Sequence, residues 1–301
     1  MIPLAGTLLR AAVPLPDIEI PPGYVLDLPG RGSTYVTDVP GPSEDAPTVV
    51  LLHAFACTGM LCWFPSVEAL SEHFRVVTFD QRWHGSGFTE GDFTLADCAH
   101  DVAAVVHELD LGPAIVAGFS MGSIIAQRVW RQHPSVVAGL VLGATSDRFA
   151  NTLSERLFHG GMRISMGLLR SLNQSRVART AGKGAAAALA IDEDDLYRWA
   201  LREFRSTSPW ALAPAIAAIG RHHSTPWLPG IDVPTAVVVT SHDRVISAAR
   251  QEQVAALIPG ATVHPVDAGH ASVVLEAEKF VPVFVEACRT TADRIVLGKG
   301  R

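Results

Sequence analysis

The sequence predicts an α/β protein built on a mostly parallel, doubly wound sheet with a helical lid inserted into it. Three observations support this fold class. Apolar runs of strand length alternate with amphipathic helical segments, which is the pattern of a parallel sheet with helices on both faces. The alternation stops between about residue 148 and residue 228, where only helical segments follow one another. A Gly-x-Ser-x-Gly turn joins a buried strand to a helix at Ser120.

Composition bounds the class of protein and its partners. The 301 residues are 48% hydrophobic and 18% charged, and the formal net charge is −6. This provides ample material for a core, and the mild acidity argues against nucleic acid or an anionic membrane as the main partner. No stretch reaches the ~18 apolar residues that a membrane span requires.

Cysteine spacing and the N-terminal pattern indicate the compartment. The four cysteines, at positions 57, 62, 98 and 288, have no spacing that completes a zinc site. No basic leader precedes an apolar run near the N-terminus, so we expect no secretory signal. The interpretation is a cytoplasmic protein with reduced thiols and no metal.

The first part of the chain alternates strand and helix. Pro65 is placed in the first turn of its predicted helix, and Thr94 is placed as an N-cap with Asp97 at the third helical position. The predicted elements are a β-hairpin over residues 24–39, a strand over 48–53, a helix over 65–73, a strand over 74–80 and a helix over 94–109.

The turn at Ser120 is the most informative local pattern. Four apolar residues precede Gly118-Phe119-Ser120-Met121-Gly122, and a helical pattern follows. Side chains at positions 118 and 122 would collide with the neighbouring strand and helix, so both positions require glycine. The turn lifts the Ser120 hydroxyl clear of the sheet and aims the first N–H groups of the helix at a reacting carbonyl. Ser120 is therefore the candidate nucleophile.

The rest of the chain completes the sheet around the helical insertion. We predict a first core segment over residues 1–147, a lid over 148–228 and a second core segment over 229–301. The predicted strands are 137–142, 235–240 and 261–266, and the predicted helices of the sheet domain are 248–257 and 273–288. The predicted lid helices are 152–172, 176–190, 193–205 and 209–222.

A nucleophilic serine requires a base and an acid. His270 follows the last predicted strand, in a loop at the carboxyl end of a strand, where α/β sheets place their chemistry. Asp243 follows the strand over 235–240 and is the candidate acid that fixes the histidine tautomer. Asp147, after the strand over 137–142, and Asp267, three residues before His270, are the alternatives.

Five motifs, taken together and in this order, resemble the α/β-hydrolase superfamily in its lidded serine esterase, lactonase and C–C hydrolase branch. The resemblance covers roughly residues 23–290 and implies the α/β-hydrolase fold, a catalytic triad of Ser120, Asp243 and His270, and no cofactor. Serine at position 120 argues against the haloalkane dehalogenase and epoxide hydrolase branches, which carry aspartate there. The motifs are Leu51-Leu52-His53-Ala54-Phe55, Asp80-Gln81-Arg82-Trp83-His84-Gly85-Ser86-Gly87, Gly118-Phe119-Ser120-Met121-Gly122, Ser241-His242-Asp243-Arg244-Val245-Ile246 and Ala268-Gly269-His270.

The resemblance also implies an oxyanion hole of two backbone N–H groups. One is the N–H of Met121, directly after the nucleophile. The other comes from the loop after His53 and is assigned to Phe55. The family usually has glycine directly after that histidine, so Ala54 is a departure that places a side chain in the turn.

Three tryptophans are candidate substrate contacts. Trp83 stands where the family often has glycine and either shapes the pocket or packs against the neighbouring loop. Trp199 and Trp210 belong to the predicted lid, whose aromatic residues either line a pocket or pack its own core.

The expected function is hydrolysis of a small to medium, largely apolar carboxylic ester, lactone or thioester. Two alternatives use the same triad: C–C bond hydrolysis of a vinylogous diketone, and acyl transfer to a second nucleophile. A third alternative of another class is a hydrolase-fold protein that binds a ligand without turnover, because fold does not fix function.

Overall fold

The computed structural model describes residues 18–149, 196–207 and 209–299. Elements are numbered along this described part. Its strands are β1 Tyr24–Leu28, β2 Gly32–Val39, β3 Thr48–Leu52, β4 Arg75–Phe79, β5 Ala114–Phe119, β6 Val137–Gly143, β7 Thr235–Thr240 and β8 Thr262–Val266. Its helices are α1 Gly59–Ser71, α2 Leu95–Glu108, α3 Met121–Gln132, α4 Leu196–Ser206, α5 Pro209–Gly220, α6 Ala248–Leu257, α7 Ser272–Leu275 and α8 Ala277–Lys299.

The eight strands form one sheet in the order β1-β2-β4-β3-β5-β6-β7-β8. The β1–β2 and β2–β4 pairs are antiparallel, and every later pair is parallel. Strand β5, which ends directly before Ser120, lies between β3 and β6, so its C-terminal end is flanked by two parallel neighbours. This confirms the predicted α/β fold with a mostly parallel sheet.

Helices cover both faces of the sheet because its central strands are apolar on both faces. Val50 and Leu52 of β3 belong to one core cluster with side chains from α2, α3 and α6. Val49 and Leu51 of the same strand belong to a second cluster with side chains from α1 and α8. Successive side chains of a strand point to opposite faces, so a continuous apolar run fills both clusters at once.

The predicted helix over residues 65–73 begins too late. The observed helix α1 starts at Gly59, and Pro65 lies inside it instead of in its first turn. The N-cap is Thr58, whose hydroxyl oxygen accepts the N–H of Leu61 at 3.2 Å. This cap starts the helix six residues before the prediction.

The predicted helix over residues 273–288 is also wrong in its bounds. The chain forms the short helix α7, breaks at Glu276 and continues as α8 to Lys299. The additional turns are stabilised by packing on the sheet, since Thr291 is buried and Ile295 packs against the second core cluster.

The inserted segment is described in part. The predicted helices over residues 152–172 and 176–190 lie outside the described residues, and the segments predicted as 193–205 and 209–222 contain α4 and α5. An antiparallel bridge between Arg148 and His223 brings the start of the inserted segment close to its C-terminal part. In the described ranges, no helix combines the length and apolarity needed to cross a bilayer.

Candidate active site

The turn between β5 and α3 holds Ser120 in a strained conformation. Its φ is +52° and its ψ is −114°, a region that residues other than glycine rarely adopt. The Ser120 N–H donates to the carbonyl of Gly143 on β6 at 2.9 Å, and the Ser120 carbonyl accepts the N–H of Ser123 at 3.0 Å. The strand pairing and the helix start therefore fix the turn from both sides.

Close backbone contacts explain the two glycines of the turn. A Cβ atom on Gly118 would lie 2.3 Å from the carbonyl carbon of Gly122. A Cβ atom on Gly122 would lie 2.0 Å from the carbonyl oxygen of Leu52 on β3. Because both obstacles are backbone atoms, they cannot rotate away, and the sequence-based reason for glycine at these positions is confirmed.

Three side chains from separate loops meet at this edge of the sheet. His270 lies after β8, and its Nε2 is 3.0 Å from Ser120 Oγ. Its Nδ1 is 2.6 Å from Asp243 Oδ2, in the loop after β7. The structure thus brings together all three residues predicted from the sequence as nucleophile, base and acid. One imidazole links the hydroxyl to the carboxylate.

The surroundings of Asp243 favour its charged form. Burial acts to raise the pKa of Asp243, but the hydrogen bond with His270 and the backbone N–H groups of Ile246 and Val245 outweigh burial. Those N–H groups donate to Oδ1 at 2.8 and 2.7 Å. The net effect places the pKa of this carboxyl below its usual value. Asp243 is therefore ionised at neutral pH.

Gln251 is a part of this site that the sequence analysis missed. It lies on α6 and is fully buried. Its Nε2 donates to Thr240 Oγ1 at 2.9 Å, to the carbonyl of Ile246 at 2.7 Å and to Asp243 Oδ2 at 3.3 Å. Its Oε1 accepts the N–H of Thr240 at 3.0 Å. No local pattern marks this glutamine, because its partners are defined only by the packing of α6 on the loop after β7.

The two alternative acids have other contacts. Asp147 is buried, accepts a hydrogen bond from Thr225 Oγ1 and lies 3.6 Å from Arg148 Nε. Asp267 is exposed, and its Oδ1 is 2.6 Å from His242 Nε2. The hydrogen bonds of His270 in the described part of the chain run to Asp243 and Ser120.

The loop after His53 carries the predicted second donor, Phe55. His53 is fully buried, and burial lowers its pKa well below the usual value. The neutral ring holds the loop through two hydrogen bonds. Its Nδ1–H donates to the carbonyl of Ala54 at 2.8 Å, and its Nε2 accepts the N–H of Gln81 at 2.9 Å. The residue with positive φ is Ala56, at +61°. The departure at Ala54 therefore causes no positive-φ strain at that position.

Two hydrogen bonds join helix α4 and the residue after it to loops near this edge of the sheet. Glu203 Oε2 accepts a hydrogen bond from the Thr58 hydroxyl at 2.7 Å. The N–H of Gly85 donates to Thr207 Oγ1, just past the helix end, at 3.0 Å. The part of the insertion that is described thus contacts the start of α1 and the turn that follows β4.

The turn after β4 is organised by Asp80. Its Oδ1 accepts the N–H of Gly59 and its Oδ2 the N–H of Ser86, both at 2.8 Å. Burial, and then the nearby carboxyl of Glu203, raises the pKa of Asp80 to about 7. Burial likewise raises the pKa of Glu203. Like Asp243, Asp80 is thus a buried acidic group at this edge of the sheet.

The three tryptophans predicted as substrate contacts lie in different parts of the structure. Trp83 has a φ of +63°, is half-buried and packs against the first core cluster. Trp199 is 6% exposed and meets Phe64 of α1 edge-to-face, with ring centroids 5.4 Å apart. Trp210 lies in α5, and its side chain is outside the described part of the structure.

Over residues 18–149, 196–207 and 209–299, metal-ligating side chains form no group of three or more.

The fold and the site together define a class of protein. Residues 47–277 match the family described as alpha/beta hydrolase fold, and the chain belongs to that family. The eight-stranded sheet and the turn at Ser120 are the structural basis of this membership.

Within the family, the chain is similar to lactonases and esterases. It is 25% identical over 261 residues to 3-oxoadipate enol-lactonase 1 of Acinetobacter baylyi. The aligned region covers 84% of this chain and 92% of that protein. The enol-lactonase structure from Burkholderia xenovorans LB400 superposes with a TM-score of 0.67 at 24% identity, over 87% of this chain and 98% of the other. An esterase structure from Thermogutta terrifontis gives a TM-score of 0.67 at 22% identity, over 90% and 99%. These two structural matches show the fold, and the relatives support a hydrolase.

Proposed function

We propose that this protein is a serine hydrolase that cleaves a carboxylic ester, lactone or thioester through an acyl-enzyme on Ser120. The observation that carries the proposal is the continuous chain of contacts from Asp243 to His270 at 2.6 Å and from His270 to Ser120 at 3.0 Å. Serine is a weak nucleophile until a base takes its proton, and this geometry supplies the base together with a group that orients it.

The first half of the reaction forms the acyl-enzyme. Ser120 Oγ attacks the substrate carbonyl carbon while its proton passes to His270 Nε2. The negative charge on the carbonyl oxygen is stabilised by the N–H groups of Met121 and Phe55, the proposed oxyanion donors. The tetrahedral intermediate then collapses, the bond to the leaving group breaks, and the leaving group takes the proton from His270.

The second half releases the acid and restores the enzyme. Water attacks the acyl carbon and gives a proton to His270 Nε2, and the ester bond to Ser120 breaks as that proton returns to Oγ. Asp243 stays ionised through both halves and stabilises the imidazolium that forms twice in each cycle. Its low pKa and its hydrogen bond to Nδ1 support this role.

The substrate proposed for this site is small to medium in size and largely apolar. Phe119 lies beside His270, with ring centroids 5.6 Å apart, and Phe55 and Met121 are the apolar residues that carry the two donors. Trp83 and Trp210 are proposed to contact the substrate. Because Trp199 packs on Phe64, it is proposed to support the pocket wall from behind.

Residues 148–228 are proposed to form a lid over this site, between core segments 1–147 and 229–301. Support comes from the contacts of Glu203 with Thr58 and of Thr207 with Gly85. Both contacts tie the inserted segment to loops that lie within a few residues of the proposed oxyanion donor and of Trp83.

The test is the intact mass after incubation with a fluorophosphonate. Wild-type protein is expected to gain one adduct, Ser120→Ala none, and Ser123→Ala one. Ser123 is the matched control, since it lies three residues further along the same helix and its hydroxyl donates to the Ser120 carbonyl at 2.7 Å. Absence of an adduct on the wild type would contradict an activated serine.

A substrate panel then separates hydrolysis from the alternatives. Graded p-nitrophenyl esters and lactones are expected to be cleaved. Preferential cleavage of a vinylogous diketone would instead indicate C–C hydrolysis. An ester product formed with an added alcohol would indicate acyl transfer, and thermal stabilisation by a ligand that yields no product would indicate a binding protein.

A further inference from the structure

The start of α1 brings two cysteines into contact. Thr58 is the N-cap, so Cys57 is the residue before the cap and Cys62 is the fourth residue of the helix. Side chains at these two positions commonly pack on each other and set the angle at which the chain enters a helix. In this protein the Cys62 thiol donates a hydrogen bond to the Cys57 sulfur. The cap thus pairs two cysteines whose spacing in the sequence suggests no pairing.

The two thiols differ in exposure and in acidity. Cys57 is partly exposed, whereas Cys62 has no exposed surface. The hydrogen bond from Cys62 outweighs burial and lowers the pKa of Cys57, while burial raises the pKa of Cys62 well above its usual value. A helix N-terminus also favours a negative charge nearby. Cys57 is therefore the more acidic and the more accessible thiol of the pair.

The other two cysteines lack these features. Cys98 on α2 and Cys288 on α8 are both buried, and burial raises the pKa of each thiol. A protonated and inaccessible thiol reacts slowly with oxidants, because the thiolate is the reactive form. They provide internal controls for any chemistry at the start of α1.

We propose that Cys57 and Cys62 form a peroxide-responsive dithiol whose disulfide disables the neighbouring loop of residues 54–57. The Cys57 thiolate attacks one oxygen of hydrogen peroxide, the O–O bond breaks, and a sulfenic acid and hydroxide result. The Cys62 sulfur then attacks the oxidised sulfur, forming the S–S bond and expelling hydroxide. The proton that Cys57 released on ionising and the proton of Cys62 join the two hydroxides, so two waters form. A dithiol reductant reverses the change.

The geometry of the loop connects this modification to the site. The N–H of Cys57 donates to the carbonyl of Ala54 at 3.3 Å, and the sulfur of Cys62 makes a backbone hydrogen bond with Ala54. Ala56, between them, has the positive φ of +61°. An S–S bond of about 2 Å is much shorter than a thiol hydrogen bond, so it draws Cys57 toward α1 and displaces Phe55. This consequence rests on the proposed role of the Phe55 N–H.

Alkylation after denaturation, followed by peptide mapping of the full-length protein, tests the modification without reference to any activity. After graded peroxide, wild type and Cys98→Ser are expected to lose two alkylatable thiols, to become two hydrogens lighter and to yield one peptide linked through Cys57 and Cys62. Cys57→Ser is expected to form no such link. Cys62→Ser is expected to accumulate a sulfenic acid at Cys57 that dimedone traps. Disulfide-free wild-type protein after peroxide would overturn the proposal.

The rate of fluorophosphonate labelling tests the consequence for the site. Oxidation is expected to slow labelling of Ser120 by about 10²-fold, as loss of one oxyanion donor does. Dithiothreitol is expected to restore it, and Cys57→Ser is expected to label at one rate before and after peroxide. A mapped disulfide with unchanged labelling would overturn the switch. A reduced wild type that never labels would contradict the proposed hydrolase, while the thiol mapping would still decide the modification.

Discussion

Two buried carboxyl groups at the same edge of the sheet differ in their charge. Asp243 follows β7 and Asp80 follows β4, they are 8% and 5% exposed, and each accepts two backbone N–H groups. Burial acts to raise the pKa of both. For Asp243 the hydrogen bond with His270 reverses this effect, whereas for Asp80 the carboxyl of Glu203 adds to it and the pKa reaches about 7. The partner, and not the strand end, decides whether such a carboxyl is charged.

The difference separates two uses of a buried acid. Asp243 is ionised and adjacent to an imidazole, which suits it to stabilise an imidazolium. Asp80 is protonated up to about neutral pH and joins the start of α1 to the turn after β4 through Gly59 and Ser86. The proposed role of Asp243 is chemical, whereas Asp80 holds two loops together.

The largest effect is expected from Asp243→Asn. The amide removes the charge that orients His270 and stabilises the imidazolium, so kcat is expected to fall by about 10⁴-fold. The measurement is the initial rate on the best ester or lactone of the panel. Asp267→Asn is the matched control, because that carboxyl is exposed and its contact is with His242; its rate is expected to be unchanged. A larger loss in Asp147→Asn than in Asp243→Asn would assign the acid to Asp147.

The pH dependence of stability is expected to have the sign set by Asp80. Its pKa in the folded protein, about 7, lies above the ordinary value of 3.8, so the folded state binds more protons between these two values. Stability therefore falls by a few kcal/mol as the pH rises from about 4 to about 7. The contribution of Asp243 to the pH dependence of stability has the opposite sign. Because its pKa is lowered in the folded protein, it contributes stability above pH 3.8 that is lost as the pH falls.

Urea unfolding at a series of pH values measures this difference. Asp80→Asn is expected to flatten the fall between about pH 4 and about pH 7, even though its stability at low pH is reduced by the loss of one acceptor. Glu203→Gln is expected to lower the pKa of Asp80, because the neighbouring charge is removed. The fall in stability is then expected to end at a lower pH. Parallel curves for wild type and Asp80→Asn would show that Asp80 is ionised in the folded protein.

A smaller effect is expected from Gln251→Leu on the Asp243 side. The change leaves the N–H of Thr240 and the carbonyl of Ile246 without this buried partner, which lowers the free energy of unfolding by about 1–3 kcal/mol. Gln253→Leu, exposed on the same helix, is the control and is expected to change little. Equal denaturation midpoints for the two variants would contradict a structural role for Gln251.

Much of the fold was predictable because its strands are buried on both faces. The bounds of β7 and of α6 agree with the prediction, since an apolar run and an amphipathic segment are each bounded by turn residues. The predicted start of α1 is wrong because Pro65 was placed in the first turn of the helix, whereas the Thr58 cap starts the helix six residues earlier. The end of α8 was missed because packing on the sheet, and not local sequence, extends it.

The site likewise has one part that the local sequence predicts and another that depends on tertiary contacts. Ser120, Asp243 and His270 were predictable because each lies within four residues of the C-terminal end of a strand, at the carboxyl edge of the sheet. The contact of Glu203 with Thr58 joins residues 145 apart, and no local pattern encodes it. Gln251 and the pairing of the two cysteines at the start of α1 likewise depend on tertiary contacts and on a helix cap.

The 150-residue separation between Ser120 and His270 bears on how the chain is synthesised. The serine leaves the ribosome well before β7 and β8 and the loops after them that carry Asp243 and His270, and domains acquire their native packing once their full sequence is available. On a nascent chain the hydroxyl therefore has ordinary alcohol reactivity. Ribosome-bound chains that end before β7 are expected to resist fluorophosphonate, so labelling of Ser120 reports completion of the sheet.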